Sequence, residues 1–118
     1  MAKVLIVDDA EFLRVRLSKI LNAEGYEVFQ AENGVKAVAV YQESHPDVVL
    51  MDVTMPEMDG LTALKEIIQL DPKAKVVMLT ALGQESVVLE AVKSGAKDFV
   101  VKPFEQDRVM NAITKLLS

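Results

Sequence analysis

The chain has 118 residues, with 18 acidic side chains against 13 Lys or Arg side chains, a net charge of −5 and no cysteine. This length predicts one domain, over residues 1–118, that buries roughly two-thirds of its unfolded surface without disulfides. The lack of cysteine excludes a disulfide framework, a zinc site with cysteine ligands and a thiol nucleophile, and the acid excess argues against a nucleic-acid partner, which would need clustered Lys and Arg.

The first third of the chain alternates between short apolar runs and segments of helical periodicity. Residues 3–7 predict a strand, and residues 11–24 predict a helix. The apolar stripe of that helix is expected to contain Phe12, Leu13, Leu17, Ile20 and Leu21. A weaker strand at 26–31 leads to a helix that begins after Asn33-Gly34 and ends near residue 44.

The rest of the chain continues the alternation, with strands predicted at 48–52, 75–80 and 97–102 and helices at 61–70, 84–94 and 105–117. Five strand–helix units predict an α/β fold, a parallel sheet with helices on both faces. We expect the flavodoxin-like (βα)5 doubly wound sandwich with strand order 2-1-3-4-5, in which strand 2 lies at an edge.

Polar residues stand at the carboxyl ends of four predicted strands, the edge where such folds bind ligands: Asp8 and Asp9, Asp52, Thr80, and Lys102. Each alone is typical of a turn, a strand or a solvated charge. Three carboxylates in one pocket would repel unless a cation relieved them, and Mg²⁺, with Mn²⁺ as the alternative ion, suits such oxygen ligands. With a hydroxyl and an ammonium added, the set suits a phosphoryl group on an aspartate.

No apolar run approaches the ~18 residues of a membrane span, and the N-terminal residues are unlike a signal peptide. An apolar content of 51% is too high for a disordered chain. We therefore expect a soluble cytoplasmic domain with no membrane partner.

The whole chain resembles response-regulator receiver domains, most closely those of the stand-alone chemotaxis type. The motifs that carry the resemblance are residues 4–9 (VLIVDD), residues 47–52 (DVVLMD) followed by Met55-Pro56 and Gly60, Thr80-Ala81, residues 95–99 (GAKDF) and residues 102–104 (KPF). Each motif alone is weak, but their order and spacing together are highly specific.

The resemblance implies that Asp52 accepts a phosphoryl group from a phosphohistidine of a histidine kinase. Asp9, Asp52 and the backbone carbonyl of Thr54 would bind the magnesium ion directly, and Asp8 would bind it through a water molecule. Lys102 would pair with the carboxylate or with a phosphoryl oxygen. The domain would be a signalling protein that catalyses only its own phosphorylation and dephosphorylation.

The resemblance also implies a two-state switch. Thr80 would move to the phosphoryl group, and Phe99, which stands where the family often has tyrosine, would turn inward. The surface of helix 4, strand 5 and helix 5 would then control a downstream protein in chemotaxis, with a flagellar switch protein as a candidate and a phosphatase as a further partner. The family often has a cis peptide bond at the position of Lys102-Pro103, and the sequence alone leaves the isomer of this bond open. A monomeric state is expected.

Two other classes of protein share part of this pattern, and each needs a motif that this sequence lacks. A haloacid-dehalogenase-type phosphotransferase needs a second aspartate two positions after the first, where this chain has Thr54. A flavodoxin-like electron carrier needs a Ser/Thr/Gly-rich loop after strand 1, where this chain has Asp8-Asp9. The alternatives of role are a receiver domain of a longer transcriptional regulator and a phosphorelay intermediate. The end of the chain at Ser118, after the last helix, favours a stand-alone protein.

Overall fold

The computed structural model describes residues 2–55 and 57–118, in which five strands and five helices alternate. The strands are β1 (Lys3–Val7), β2 (Glu27–Ala31), β3 (Val48–Asp52), β4 (Val76–Thr80) and β5 (Asp98–Val101). The helices are α1 (Glu11–Ala23), α2 (Gly34–Ser44), α3 (Gly60–Leu70), α4 (Glu85–Lys93) and α5 (Gln106–Leu117). Every boundary lies within one residue of its prediction. Pro56, which belongs to one of the motifs, lies outside the described residues.

Short polar side chains fix where two of the helices begin. Oδ1 of Asn33 accepts a hydrogen bond from the Lys36 backbone N–H at 2.8 Å, and Oδ1 of Asp59 accepts one from Thr62 at 2.8 Å. Both bonds satisfy N–H groups that a helix leaves without partners in its first turn. The starts of α2 and α3 are therefore encoded locally.

The five strands form one parallel sheet in the order β2-β1-β3-β4-β5, which confirms the predicted fold. All five carboxyl ends consequently meet at one edge of the sheet. Because β2 is outermost, the strands that end in the polar residues of interest are direct neighbours.

Two apolar layers cover the sheet. One lies under α2, α3 and α4, and the other lies under α1 and α5. Every residue of β3 and β4 is buried, as expected for strands covered on both faces. No helix in the described ranges is long and apolar enough to cross a membrane.

One expectation about α1 is wrong. The helical periodicity predicts Phe12 on the apolar stripe, but 76% of this residue is exposed. It lies nine residues before Leu21, about two and a half turns at 3.6 residues per turn, so it projects from the opposite side of the helix. Leu17 and Leu21 supply the buried contact instead.

Candidate functional site

Five polar residues lie at the carboxyl edge of the sheet, where the apolar strands end: Asp8 and Asp9 after β1, Asp52 at the end of β3, Thr80 at the end of β4, and Lys102 after β5. The parallel order of these neighbouring strands brings their ends to one place. The peptide bond between Lys102 and Pro103 is cis.

Three carboxylates form the acidic part of the site. One oxygen each of Asp8, Asp9 and Asp52 lies within 4.8 Å of the others. Asp8 and Asp52 are buried, with 1% and 7% of their surface exposed, whereas Asp9 is exposed. Like charges this close repel, and burial removes the water that would screen them. The cluster could bind a metal ion through oxygen ligands, the type that hard divalent cations prefer.

The ammonium group of Lys102 lies between two of these carboxylates. Its Nζ donates to Oδ2 of Asp8 at 3.0 Å and to Oδ1 of Asp52 at 3.1 Å. Burial alone would lower the pKa of Lys102, but the hydrogen bond to Asp8 and the charges of Asp52 and Asp8 outweigh burial and raise it. The lysine stays charged, and the site keeps a net charge of −2 that one divalent cation would neutralise.

The electrostatics of Asp52 favour a cation beside it. Burial raises the pKa of its carboxyl above the ordinary value of 3.8, and the charge of Asp8 raises it further. The charge and hydrogen bond of Lys102 oppose this rise. A cation at the cluster would favour the ionised form of Asp52, which is the nucleophilic form.

The loop after β1 holds Asp8 in place. Oδ1 of Asp8 accepts a hydrogen bond from the Ala10 backbone N–H at 2.9 Å. Nη1 of Arg14 donates to the Asp8 carbonyl at 2.7 Å, which ties the loop to α1. With these bonds made, the other carboxylate oxygen of Asp8 is directed at Lys102.

The loop after β3 folds tightly behind Asp52. The backbone N–H of Gly60 donates to the Val53 carbonyl at 2.8 Å. A Cβ at position 60 would overlap the carbonyl oxygen of Asp52, so only glycine permits this approach. Thr54 is exposed in the same loop.

Thr80 is bonded to Gln84, a residue that belongs to none of the sequence motifs. Its hydroxyl donates to Oε1 of Gln84 at 2.9 Å. The Lys102 backbone N–H donates to the Thr80 carbonyl at 2.6 Å, so Thr80 lies beside the lysine. No motif singles out Gln84, because a glutamine before a helix is an ordinary residue there and only the folded loop shows its partners.

Phe99 lies on a groove rather than in the acidic cluster. It is 40% exposed and lines a mostly apolar groove of about 290 Å³ between α4 and β5. Thr80 and Gln84 line the same groove. A displacement of Thr80 would therefore change the wall that Phe99 faces.

A parallel five-stranded sheet with carboxylates, a lysine and a threonine at its carboxyl edge defines a receiver domain of signal transduction. The response regulator receiver domain model matches residues 4–114 of this chain. The chain belongs to that family, which confirms the resemblance drawn from its motifs. The family is one of signalling phosphoacceptors, and neither the dehalogenase-type nor the flavin-carrier alternative applies.

Within the family, chemotaxis proteins are among the similar relatives. The chain is 56% identical over 117 residues to chemotaxis protein CheY of Bacillus subtilis, covering 98% of both chains. It is 38% identical over 115 residues to sporulation initiation phosphotransferase F of the same organism, covering 98% of this chain and 93% of that protein. A CheX–CheY–BeF3–Mg²⁺ complex from Borrelia burgdorferi has a TM-score of 0.93 at 38% identity, with 99% of this chain and 90% of that chain covered.

Proposed function

We propose that the chain is a phosphoacceptor switch of a two-component system, in which Asp52 receives a phosphoryl group from a phosphohistidine of a histidine kinase. The observation that carries the proposal is the contact of Lys102 Nζ with both Asp52 and Asp8. A purely structural ion pair needs one carboxylate for the lysine, but this site has three. Excess negative charge that is partly buried is typical of a site that binds a cation and, through it, an anionic group.

The chemical step is a displacement at phosphorus. A carboxylate oxygen of Asp52 bonds to the phosphorus as the bond from phosphorus to the histidine nitrogen breaks. The electron pair of the broken bond stays on that nitrogen, and the histidine leaves as neutral imidazole because its ring has taken a proton from water. Asp52 becomes an acyl phosphate, and later attack by water releases inorganic phosphate and restores the carboxylate. The ammonium of Lys102, 3.1 Å from the acceptor, offsets negative charge on the transferred group.

The acidic cluster fits Mg²⁺, or Mn²⁺ as the alternative. We assign direct binding to Asp9, Asp52 and the backbone carbonyl of Thr54. Asp8 would bind through water, because its two oxygens already accept bonds from Ala10 and Lys102. When bound, the ion supplies positive charge that orients phosphoryl oxygens and offsets their charge.

Phosphorylation would favour the state in which Thr80 and Lys102 both contact the phosphoryl group. Changing a population from mostly inactive to mostly active needs roughly 5 kcal/mol of differential binding. Two hydrogen bonds to a charged group, at about 1.5–3 kcal/mol each, are of the right size. Phe99 would then turn into the space beside Thr80, an arrangement that the shared groove supports.

We assign the output to chemotaxis, on the strength of the similarity to the CheY protein of Bacillus subtilis. The α4–β5–α5 surface, which carries the exposed Phe99, would bind the downstream protein, with a flagellar switch protein as the candidate. A phosphatase would be a further partner. We place the chain in the cytoplasm as a monomeric single domain over residues 1–118.

A second candidate role is that of a phosphorelay intermediate. The similarity to a protein named a phosphotransferase, at 38% identity, favours it. In that role phospho-Asp52 would pass its phosphoryl group to another histidine instead of changing a partner's state. A receiver domain within a longer transcriptional regulator is the remaining alternative.

Intact mass measurement after incubation with acetyl phosphate and Mg²⁺ tests the proposal. We expect the addition of one phosphoryl group, with none in Asp52→Asn and none when a chelator removes the metal. Asp47→Asn is the matched control, since Asp47 is an exposed aspartate at the opposite end of β3. It should be phosphorylated like the parent, and a parent protein that gains no phosphoryl group refutes the proposal.

A further inference from the structure

Gln84 joins two loops of the site through its amide group. Its Oε1 accepts hydrogen bonds from the Thr80 hydroxyl at 2.9 Å and from the Ala81 backbone N–H at 2.7 Å. Its Nε2 donates to Oγ1 of Thr54 at 2.8 Å. Exchange of the amide oxygen and nitrogen would set Nε2 against the N–H of Ala81, donor against donor, so the network fixes the orientation of the amide.

These bonds are not needed to begin α4. Gln84 occupies the N-cap position, yet its side chain accepts no hydrogen bond from the backbone of the helix. Its polar atoms are directed instead to Thr54, in the loop after β3, and to the end of β4. The amide therefore serves the site rather than the helix.

The Thr80 hydroxyl has one proton to donate, and Oε1 of Gln84 at 2.9 Å is a closer acceptor for it than the Ala81 carbonyl at 3.3 Å. That proton cannot be donated to Oε1 of Gln84 and to a phosphoryl oxygen at the same time. Thr80 is 2% exposed, so water has little access to replace either partner. Thr80 must leave Gln84 before it can bind a phosphoryl group.

We propose that Gln84 is a latch that holds Thr80 in the inactive arrangement until Asp52 is phosphorylated. This inference rests on the proposed function of Asp52 and Thr80. Gln84 is a positioning residue that acts through Thr80, because its amide bonds to Thr80, Ala81 and Thr54 and to none of the acidic cluster. By stabilising the inactive state it lowers the apparent affinity for a phosphoryl group, because binding must first release the latch.

Beryllofluoride with Mg²⁺ is a suitable probe of the phosphorylated state, and both groups are named in the Borrelia complex. Its affinity would be measured at saturating Mg²⁺ from the amide NMR signals of Thr80 and Phe99. We expect Gln84→Ala and Gln84→Ser to bind the probe about fivefold more tightly, the factor for one hydrogen bond of about 1 kcal/mol. Serine is a good helix N-cap, so Gln84→Ser preserves the start of α4. Gln42→Ala, at an exposed position of α2, is the matched control and should keep the parent affinity.

A Thr80→Val background separates a latch from a general effect on the loop. Valine keeps the shape of threonine but removes the hydroxyl, so the addition of Gln84→Ala should leave the affinity of Thr80→Val unchanged. A fivefold gain that persists in that background overturns the latch, and so does parent affinity in both Gln84 variants. A parent protein that binds no probe contradicts the proposed function instead, so the two failures are distinguishable.

Discussion

The ammonium nitrogen of Lys102 lies 3.1 Å from Oδ1 of Asp52, although 50 residues separate the two along the chain. The same nitrogen lies 3.0 Å from Asp8, so it fills the space between carboxylates at the ends of β1 and β3. When no metal is bound, this ammonium offsets the repulsion within the acidic cluster. When a divalent ion is bound, the two cations repel each other. Lys102 therefore has opposite effects on stability and on metal affinity.

Lys102→Met tests this opposition. Without metal, we expect a loss of about 1–3 kcal/mol in the free energy of unfolding, less than for a fully buried pair because the Lys102 side chain is 28% exposed. The stabilisation gained on adding Mg²⁺ should be larger than in the parent, because a competing charge is gone. Urea unfolding with and without Mg²⁺ measures both. Lys65→Met, which removes an exposed pair with Glu90, should change stability by less than about 1 kcal/mol. If Mg²⁺ stabilises the parent and Lys102→Met equally, the ammonium of Lys102 does not oppose metal binding.

Asp9→Asn should separate metal binding from folding. Asp9 is the exposed member of the cluster, and its carboxylate repels those of Asp8 and Asp52. Without metal, the variant should be as stable as the parent or more stable. At a Mg²⁺ concentration 100 times the parent's dissociation constant, the free energy of unfolding of the parent should rise by about 2.7 kcal/mol. That of the variant should rise much less. Melting temperature against Mg²⁺ concentration measures this. Glu43→Gln, on the exposed surface of α2, is the control and should be stabilised by Mg²⁺ like the parent. If Mg²⁺ stabilises Asp9→Asn as much as the parent, Asp9 is not a metal ligand.

The sequence predicts the acidic cluster because a parallel sheet brings the carboxyl ends of its strands to the same edge. Once the runs ending in Asp8, Asp52 and Thr80 are identified as strands of one parallel sheet, their polar ends must meet. The cap at Asn33 and the buried strands fixed the element boundaries for similarly local reasons. The strand ends and the helix cap depend only on the types of residue and their order along the chain.

Side-chain partners across loops could not be predicted in this way. The contact of Gln84 with Thr54 spans 30 residues and depends on how two irregular loops approach each other. The prediction for Phe12 is wrong for a different reason, since an apolar residue in the first turn of a helix is compatible with more than one apolar stripe. Only the packing against the sheet decides which stripe is buried.

Gly60→Ala should displace the backbone of Asp52 and so disrupt the site. Its added Cβ would overlap the Asp52 carbonyl oxygen, and backbone cannot give way as a side chain can. We expect a loss of about 3 kcal/mol or more in the free energy of unfolding, together with slower phosphorylation by acetyl phosphate. Gly25→Ala is the matched control, because φ there is +91° and nothing lies near the added Cβ. It should lose only about 1–2 kcal/mol, from backbone strain, and keep the parent phosphorylation rate. Similar losses in both variants would mean that the overlap is relieved by movement of the loop.

The hydrogen bond from the Tyr41 hydroxyl to Oδ2 of Asp71, at 2.8 Å, ties α2 to the loop after α3, away from the acidic cluster. This bond is the main reason that the pKa of Asp71 lies below its ordinary value of 3.8. Burial, with a further contribution from Asp71, raises the pKa of Tyr41 above its ordinary value of 10.0. Stability from the lowered carboxyl pKa is present above pH 3.8 and is lost as pH falls through the folded value. Stability from the raised phenol pKa is present below pH 10.0 and is lost as pH rises toward the folded value.

Tyr41→Phe should therefore lower the free energy of unfolding by about 1 kcal/mol at pH 7, since Asp71 is partly exposed and water replaces the lost donor. The difference between parent and variant should stay constant between pH 5 and 9. It should shrink below pH 3.8, where Asp71 is protonated, and again above pH 10.0, where the unfolded parent gains from ionising its tyrosine. Urea unfolding at about pH 3, 7 and 11 measures the profile. Tyr26→Phe is the control, because the Tyr26 hydroxyl makes no hydrogen bond within the described part of the chain. A Tyr41→Phe difference that does not change across this range would contradict the assignment of that stability to the bond between the Tyr41 hydroxyl and the Asp71 carboxylate.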